Sequence, residues 1–246
     1  MSLSSIDVAA STDPGKVRPG NEDAAGTAWH PSGDAVLVIV ADGVGGLKDG
    51  AYAAQLAIDS ATGAFQQASG DFEQVVNDAL LEVNRHLFDR AGGDDTRLAG
   101  TTIVALVLRE DASTLFNAGD SRGYRYSGGT LEQVTSDHSW VNEQVQAGLM
   151  SAEDAESSPQ RNIITRCLGV EPEIEVDRFD LPPLAHGDTF LLSTDGLHGV
   201  LDTAEISGLL ANDHPADRIA FELIARANSA GGPDNIGVGV ARLPRR

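Results

Sequence analysis

Between residues 101 and 134 the chain offers four apolar or β-branched runs, at 101–108, 114–118, 123–127 and 130–134, with gaps too short to hold a helix. Strands joined this tightly must run antiparallel, because a parallel return needs a crossover of roughly a dozen residues. The last gap is Gly128-Gly129, a pair suited to a two-residue hairpin turn with positive φ. Further strands are expected at 35–41, 174–179, 189–193 and 236–242. In the last of these, Val238 and Val240 alternate with glycines, which predicts close packing against another backbone.

Helices fall between these runs. The spacing predicts one over 71–91, with Phe72, Val75, Val76, Ala79, Val83 and Leu87 in one stripe. Asp71 is its expected cap, with Gln74 three residues on. An Ala-rich helix is expected over 51–67. Another is expected over 216–228, with Pro215 at its start and Gly231 past its end. Short helices are expected at 139–149 and 203–211. Residues 151–166 are polar and irregular, which suits either a functional loop or a plain surface connection. With no linker, repeat or low-complexity stretch, residues 1–246 read as one α+β domain, with antiparallel sheets and helices outside them.

Four aspartates then stand out, each expected where an apolar strand ends and a tight turn begins: Asp42 before Gly43, Asp120 after Gly119, Asp195 before Gly196, and Asp234 between Pro233 and Asn235. One Asp-Gly alone is an ordinary turn. Four of them, joined by Arg18-Pro19-Gly20-Asn21-Glu22-Asp23, suggest more. Magnesium and manganese take oxygen ligands in octahedral arrays, with waters filling open positions. Arginine matches phosphate oxygens in a two-pronged way. Arg18 could equally be a surface charge, or an ion-pair partner of nearby Glu22 or Asp23.

Composition narrows the classes. The 37 Asp and Glu outweigh 17 Lys and Arg, for a net charge of −20. Such a surface repels a nucleic-acid backbone. A lone Cys167 excludes an internal disulfide framework and a multi-cysteine zinc site, and it fits a reducing cytoplasm. The first residues do not read as a signal peptide, and no apolar run approaches a membrane span. Six residues after Cys167 stands Glu173, so a cysteine phosphatase signature is absent, as is a P-loop. The six histidines lack metal-ligand spacing, although His138 and His198 lie beside candidate motifs.

In order along the chain, several motifs resemble the metal-dependent protein phosphatases of type 2C, in their compact bacterial form. They are Arg18-Pro19-Gly20-Asn21-Glu22-Asp23, Ala41-Asp42-Gly43-Val44-Gly45-Gly46, Ala99-Gly100-Thr101-Thr102 and Gly119-Asp120-Ser121-Arg122. Thr135-Ser136-Asp137-His138, Asn162-Ile163-Ile164-Thr165-Arg166, Ser193-Thr194-Asp195-Gly196 and Pro233-Asp234-Asn235-Ile236 follow. The resemblance spans essentially the whole chain. It implies a four-layer α-β-β-α sandwich, two central antiparallel sheets flanked by helices. It also implies two Mg²⁺ or Mn²⁺ ions at one edge of that sandwich. Asp42 would bridge them; the Gly43 carbonyl and a water on Glu22 would serve one ion, and Asp195 and Asp234 the other. Asp23 would act through metal-bound water. Asp120, with Asp195, would hold a third ion. Arg18 would bind the substrate phosphate, and residues 137–166 would form a flap beside the cleft.

The implied reaction is hydrolysis of phosphoserine and phosphothreonine by a hydroxide bridging the two metals. A monomeric cytoplasmic enzyme opposing a bacterial serine/threonine kinase is expected, with phosphorylated proteins as partners and no nucleic acid or membrane. The rival readings are a catalytically silent phosphoprotein-binding regulator and a metal phosphoesterase for small molecules. One position departs from many eukaryotic relatives, whose Asp-Gly is followed by a histidine: here it is Val44. The proton donor to the leaving group is left to a metal-bound water or a nearby histidine such as His198.

Overall fold

The computed structural model describes residues 3–44, 49–94, 99–110 and 112–244. Gly45 and Gly46 of the second motif lie outside the described residues. Among these described residues ten strands form two five-stranded sheets, antiparallel at every pairing. One sheet contains β2 (Asp23–Trp29), β3 (Ala35–Asp42), β4 (Ile103–Arg109), β5 (Ser113–Ala118) and β8 (Asp177–Asp180), in that order. The other runs β1 (Asp7–Asp13), β10 (Ile236–Arg242), β9 (Thr189–Ser193), β6 (Arg122–Ser127) and β7 (Thr130–Gln133).

The continuous apolar run of β3 follows from its two-sided burial. Val36, Val38 and Val40 face the second sheet, beside Leu106, Phe190 and Leu192. Leu37, Ile39 and Ala41 face the helical layer of α1 (Gly50–Gln67) and α2 (Phe72–Ala91). A third apolar layer joins the far face of the other sheet, through Ile236, Val238 and Val240, to α7 (Ala216–Ser229). The expected α-β-β-α sandwich is therefore observed. Each fully buried Val, Leu or Phe in these layers contributes about 1.5–3 kcal/mol.

Local chemistry sets the element ends. The Asp71 side chain accepts from the Gln74 N–H at 3.2 Å, capping α2, while the Gln74 amide turns away to Asp78. Gly128 and Gly129 both take positive φ in the β6–β7 turn, as expected. The glycines of β10 do not abut a backbone: a Cβ on Gly239 would lie 2.7 Å from a Val38 methyl, and one on Gly237 3.0 Å from a Val40 methyl. Their absence of side chain makes room for the valines of the facing sheet.

Four expectations shift. The strands β1 and β2 were not foreseen from their small and polar residues. The strand expected at 174–179 forms only over Asp177–Asp180. Within 151–166 a short helix, α4 (Ala152–Ser157), forms because Ser151 caps the Asp154 N–H at 3.1 Å. The helix expected over 139–149 is the shorter α3 (Trp140–Gln146).

Candidate metal centre

The carboxylates come from strand ends at one edge of the sandwich. Antiparallel pairing places Asp23, the first residue of β2, opposite Asp42, the last of β3. Asp120 lies in the turn between β5 and β6, and Asp195 opens α5 (Asp195–His198) directly after β9. Asp234 differs from the expectation that an apolar strand precedes it: it stands two residues before β10, on the glycine-rich link from α7. Pairing of β1 with β10 sets Asp13 opposite Ile236, which brings the 14–22 connection beside Asp234.

Buried polar residues lock this edge. The Asn235 side chain accepts from the Glu22 N–H at 2.8 Å and donates to the Pro14 and Gly20 carbonyls at 2.9 and 2.7 Å. Thr194 donates its hydroxyl to Asp23 at 2.8 Å and accepts from the Gly237 N–H at 2.8 Å. Thr102 accepts from the Asp42 N–H at 3.2 Å, and Thr101 donates to the Asp42 carbonyl at 2.9 Å. Asn235, Thr194, Thr101 and Thr102 stood in the sequence motifs without an assigned role. All four flank apolar strands, β4, β9 and β10, and a polar residue abutting an apolar run was the available signal.

Gly43 is needed for space. A Cβ there would sit 2.5 Å from the Gly50 backbone and 2.9 Å from the Glu22 carbonyl. The Gly43 N–H donates to that carbonyl at 3.1 Å, and the Glu22 carboxyl carbon lies 3.4 Å from where a Gly50 Cβ would be. The Gly43 backbone and the Glu22 side chain therefore share one small cradle.

Electrostatics bind the aspartates into one unit. Burial, then the charges of Asp23, Asp195, Asp120 and Asp234, hold Asp42 well above the ordinary carboxylate range. Burial pushes Asp23 up to about 7, helped by Asp195 and Asp234 and opposed by the Thr194 hydroxyl. Asp120 is pushed up to about 7 by burial and Asp195, and Asp195 to about 6 by burial and Asp234. One carboxylate oxygen on Asp23 and one on Asp120 are buried without a hydrogen-bond partner. Such acceptors call for cations. Oxygen donors, without sulfur or imidazole, suit a hard divalent ion. Among the described residues no three His, Cys, Asp or Glu side chains are drawn into a closed metal-holding group. The carboxylates nevertheless share one edge and act on one another's charge.

Arg18 pairs with none of its sequence neighbours. Its Nη2 donates to an Asp234 carboxylate oxygen at 2.7 Å, and its side chain stays half-exposed. All eight candidate residues, Arg18, Glu22, Asp23, Asp42, Gly43, Asp120, Asp195 and Asp234, thus belong to one edge.

The histidines play other parts. His138 Nδ1 accepts from the Gly119 N–H at 3.0 Å, which leaves Nε2 to donate to Asp177 at 3.2 Å. Arg166 holds the other Asp177 oxygen at 2.6 Å. His138 therefore joins the Asp120 turn to both ends of the 137–166 segment. His198 bonds Ser193 at 3.0 Å, and burial with the nearby Arg122 charge depresses it well below the ordinary histidine range. A ring kept neutral in this way has no ready proton to donate near pH 7. Cys167 is pushed up to about 12 by burial, Asp120 and Asp42, so its thiol is inert as a nucleophile.

Comparison with known proteins agrees with this geometry. Residues 19–235 match the family model described as protein phosphatase 2C. The serine/threonine phosphatase stp of Listeria welshimeri is 36% identical over 233 residues, 92% of each chain. The structure of the Streptococcus agalactiae serine/threonine phosphatase superposes with a TM-score of 0.90 at 31% identity, covering 97% of this chain and 99% of that one. The catalytic domain of the phosphatase PstP, solved with two manganese ions, superposes with a TM-score of 0.82 at 30% identity, covering 97% and 98%. With its strand-end carboxylates arranged at the sandwich edge, this chain belongs to the protein phosphatase 2C family, in the bacterial form of that enzyme.

Proposed function

We propose that the chain hydrolyses phosphoserine and phosphothreonine in proteins at a centre of two Mg²⁺ or Mn²⁺ ions. The observation that carries this is the set of five aspartates whose charges act on one another at one edge, with buried oxygens on Asp23 and Asp120 left without partners. Asp42, the Gly43 carbonyl, Asp195 and Asp234 would hold the two ions, with Glu22 and Asp23 acting through water. Asp120 with Asp195 would hold a third, weaker ion. When bound, the metals supply an activated water and neutralise phosphoryl charge.

The chain's own residues do the rest. Arg18 offers two N–H groups to the phosphate oxygens once it releases Asp234. Asn235 and Thr194 fix the Glu22 loop and Asp23 so that neither must reorganise during the reaction. No protein nucleophile is placed at the centre: Cys167 is buried and protonated. Residues 137–166 act as the flap, and a single domain carries the activity. A monomer opposing a serine/threonine kinase in the cytoplasm is the physiological setting. Among the described residues no helix is long and apolar enough to cross a membrane.

The test is phosphate release from a phosphothreonine peptide with Mn²⁺, with Mg²⁺ and with excess chelator. Metal-dependent release is expected, and Asp120→Ala should raise the metal concentration required. Release from sugar phosphates but from no peptide would reassign the enzyme to small molecules. A folded protein that releases nothing would be a silent phosphoprotein binder.

A further inference from the structure

Beside the carboxylates lies a cavity of about 600 Å³ whose walls include Asp120 and Asp195. One side is built by Val141 and Val145 of α3 and Ala155 of α4. The other is built by Leu201 and Ile206, on α5's exit and on α6 (Thr203–Leu210). Its size is that of a preformed ligand site. We propose that this cavity is a substrate subsite that receives an apolar side chain flanking the phosphorylated residue. The proposal rests on the phosphatase reading and adds a sequence preference to it.

The walls are prebuilt. Asn142 on α3 donates its amide to the Asp137 carbonyl at 2.7 Å and to the Ser136 hydroxyl at 3.1 Å. The Trp140 N–H bonds the Ile163 carbonyl at 2.8 Å, which ties the start of α3 to the returning end of the flap. Beneath them Arg122 grips Asp137 with Nε at 3.0 Å and Nη2 at 2.7 Å. A cavity held open this way needs no reorganisation to accept a guest. Continuity with Asp120 and Asp195 identifies the guest, because any phosphoprotein at the carboxylates has neighbouring residues to place. Arg122 and Arg161 line the space as well as Glu156 and Asp202, so charges of both signs surround the apolar patch and neither sign of guest is favoured by charge.

The test uses phosphothreonine peptides in a glycine-serine background. Leucine, glycine or aspartate is placed in turn at each of three positions on either side, and kcat/KM is measured with Mn²⁺. At one position leucine should exceed glycine by about 10-fold, and aspartate should also fall below leucine there. Val145→Asp, which puts a charge in the wall, and Ala155→Phe, which fills the space, should each bring the leucine-to-glycine ratio near one at that position. The comparison is made in variants that keep the wild-type melting temperature; if one fails to fold, the other decides. A flat scan overturns the subsite, as does a preference that survives in the folded variants. Failure of the phosphatase reading looks different, since no peptide would then release phosphate.

Discussion

The carboxylate edge and the neighbouring segment 137–166, the proposed flap, are built on opposite plans. The edge draws Asp23, Asp42, Asp120, Asp195 and Asp234 from strand ends far apart in sequence, and its ties are buried hydrogen bonds between distant segments, such as Glu22 to Asn235. The flap is one continuous stretch whose short helices are capped locally, by Ser139 and Ser151. Only a few ties reach the body from it, through Arg122, His138 and Arg166. A part fixed by long-range register holds chemistry constant, whereas a part fixed by local caps can change sequence without disturbing that chemistry.

The largest effect should come from breaking the edge. Asp195→Asn is expected to lower turnover by about 10³-fold or more, while the protein in chelator melts at a higher temperature because one repelling buried charge is gone. Phosphate release and a thermal melt on the same sample check both halves. Unchanged turnover would remove Asp195 from the machinery.

A pH series sharpens the same contrast. Asp23 and Asp120 titrate near 7 and Asp195 near 6 in the folded chain, against 3.8 ordinarily. Between pH about 4 and 7 the folded state therefore binds more protons than the unfolded one, so stability falls as pH rises. In chelator the melting temperature should drop by about 10 °C from pH 5.5 to 8. Saturating Mn²⁺ should flatten that slope. A slope rising with pH in chelator would contradict the buried cluster.

Smaller effects belong to the flap. Arg122→Lys keeps the charge and loses the two-pronged grip on Asp137, so kcat/KM on phosphopeptides should fall about 10-fold. Hydrolysis of a small aryl phosphate should change less; equal losses on both substrates would mean that the grip serves the edge instead. Ser151→Ala is the mildest, removing one cap worth about 1 kcal/mol from a surface helix. Faster amide exchange over 152–157 with an unchanged global melt is expected. A lowered global melt would show that the flap is not locally held.

The parts legible in the sequence were those with one dominant force. Continuous apolar runs marked β3, β4 and β9 because both their faces are covered. The Asp71 cap and the Gly128-Gly129 turn were legible because their chemistry is local. The strands β1 and β2 escaped notice because most of their residues are Ala, Gly, Ser and Thr. The reason is steric: a Cβ on Gly26 would lie 2.8 Å from an Ile58 methyl of α1, so the strand must be slim where the helix presses on it. The carboxylates of the site were legible as residue types at turns. The partner of Arg18 was not, because Asp234 is 216 positions away and only the β1–β10 register brings the two together.

That register has a consequence for timing. During synthesis the Arg18–Asp23 loop and the end of β3 appear early, but Asp195 and Asp234 emerge more than 150 residues after Asp42. The strand that fixes the early loop, β10, comes later still. A partly made chain therefore carries three of the five aspartates and no closed edge. Because β10 lies between β1 and β9, that edge cannot close before β10 has been made.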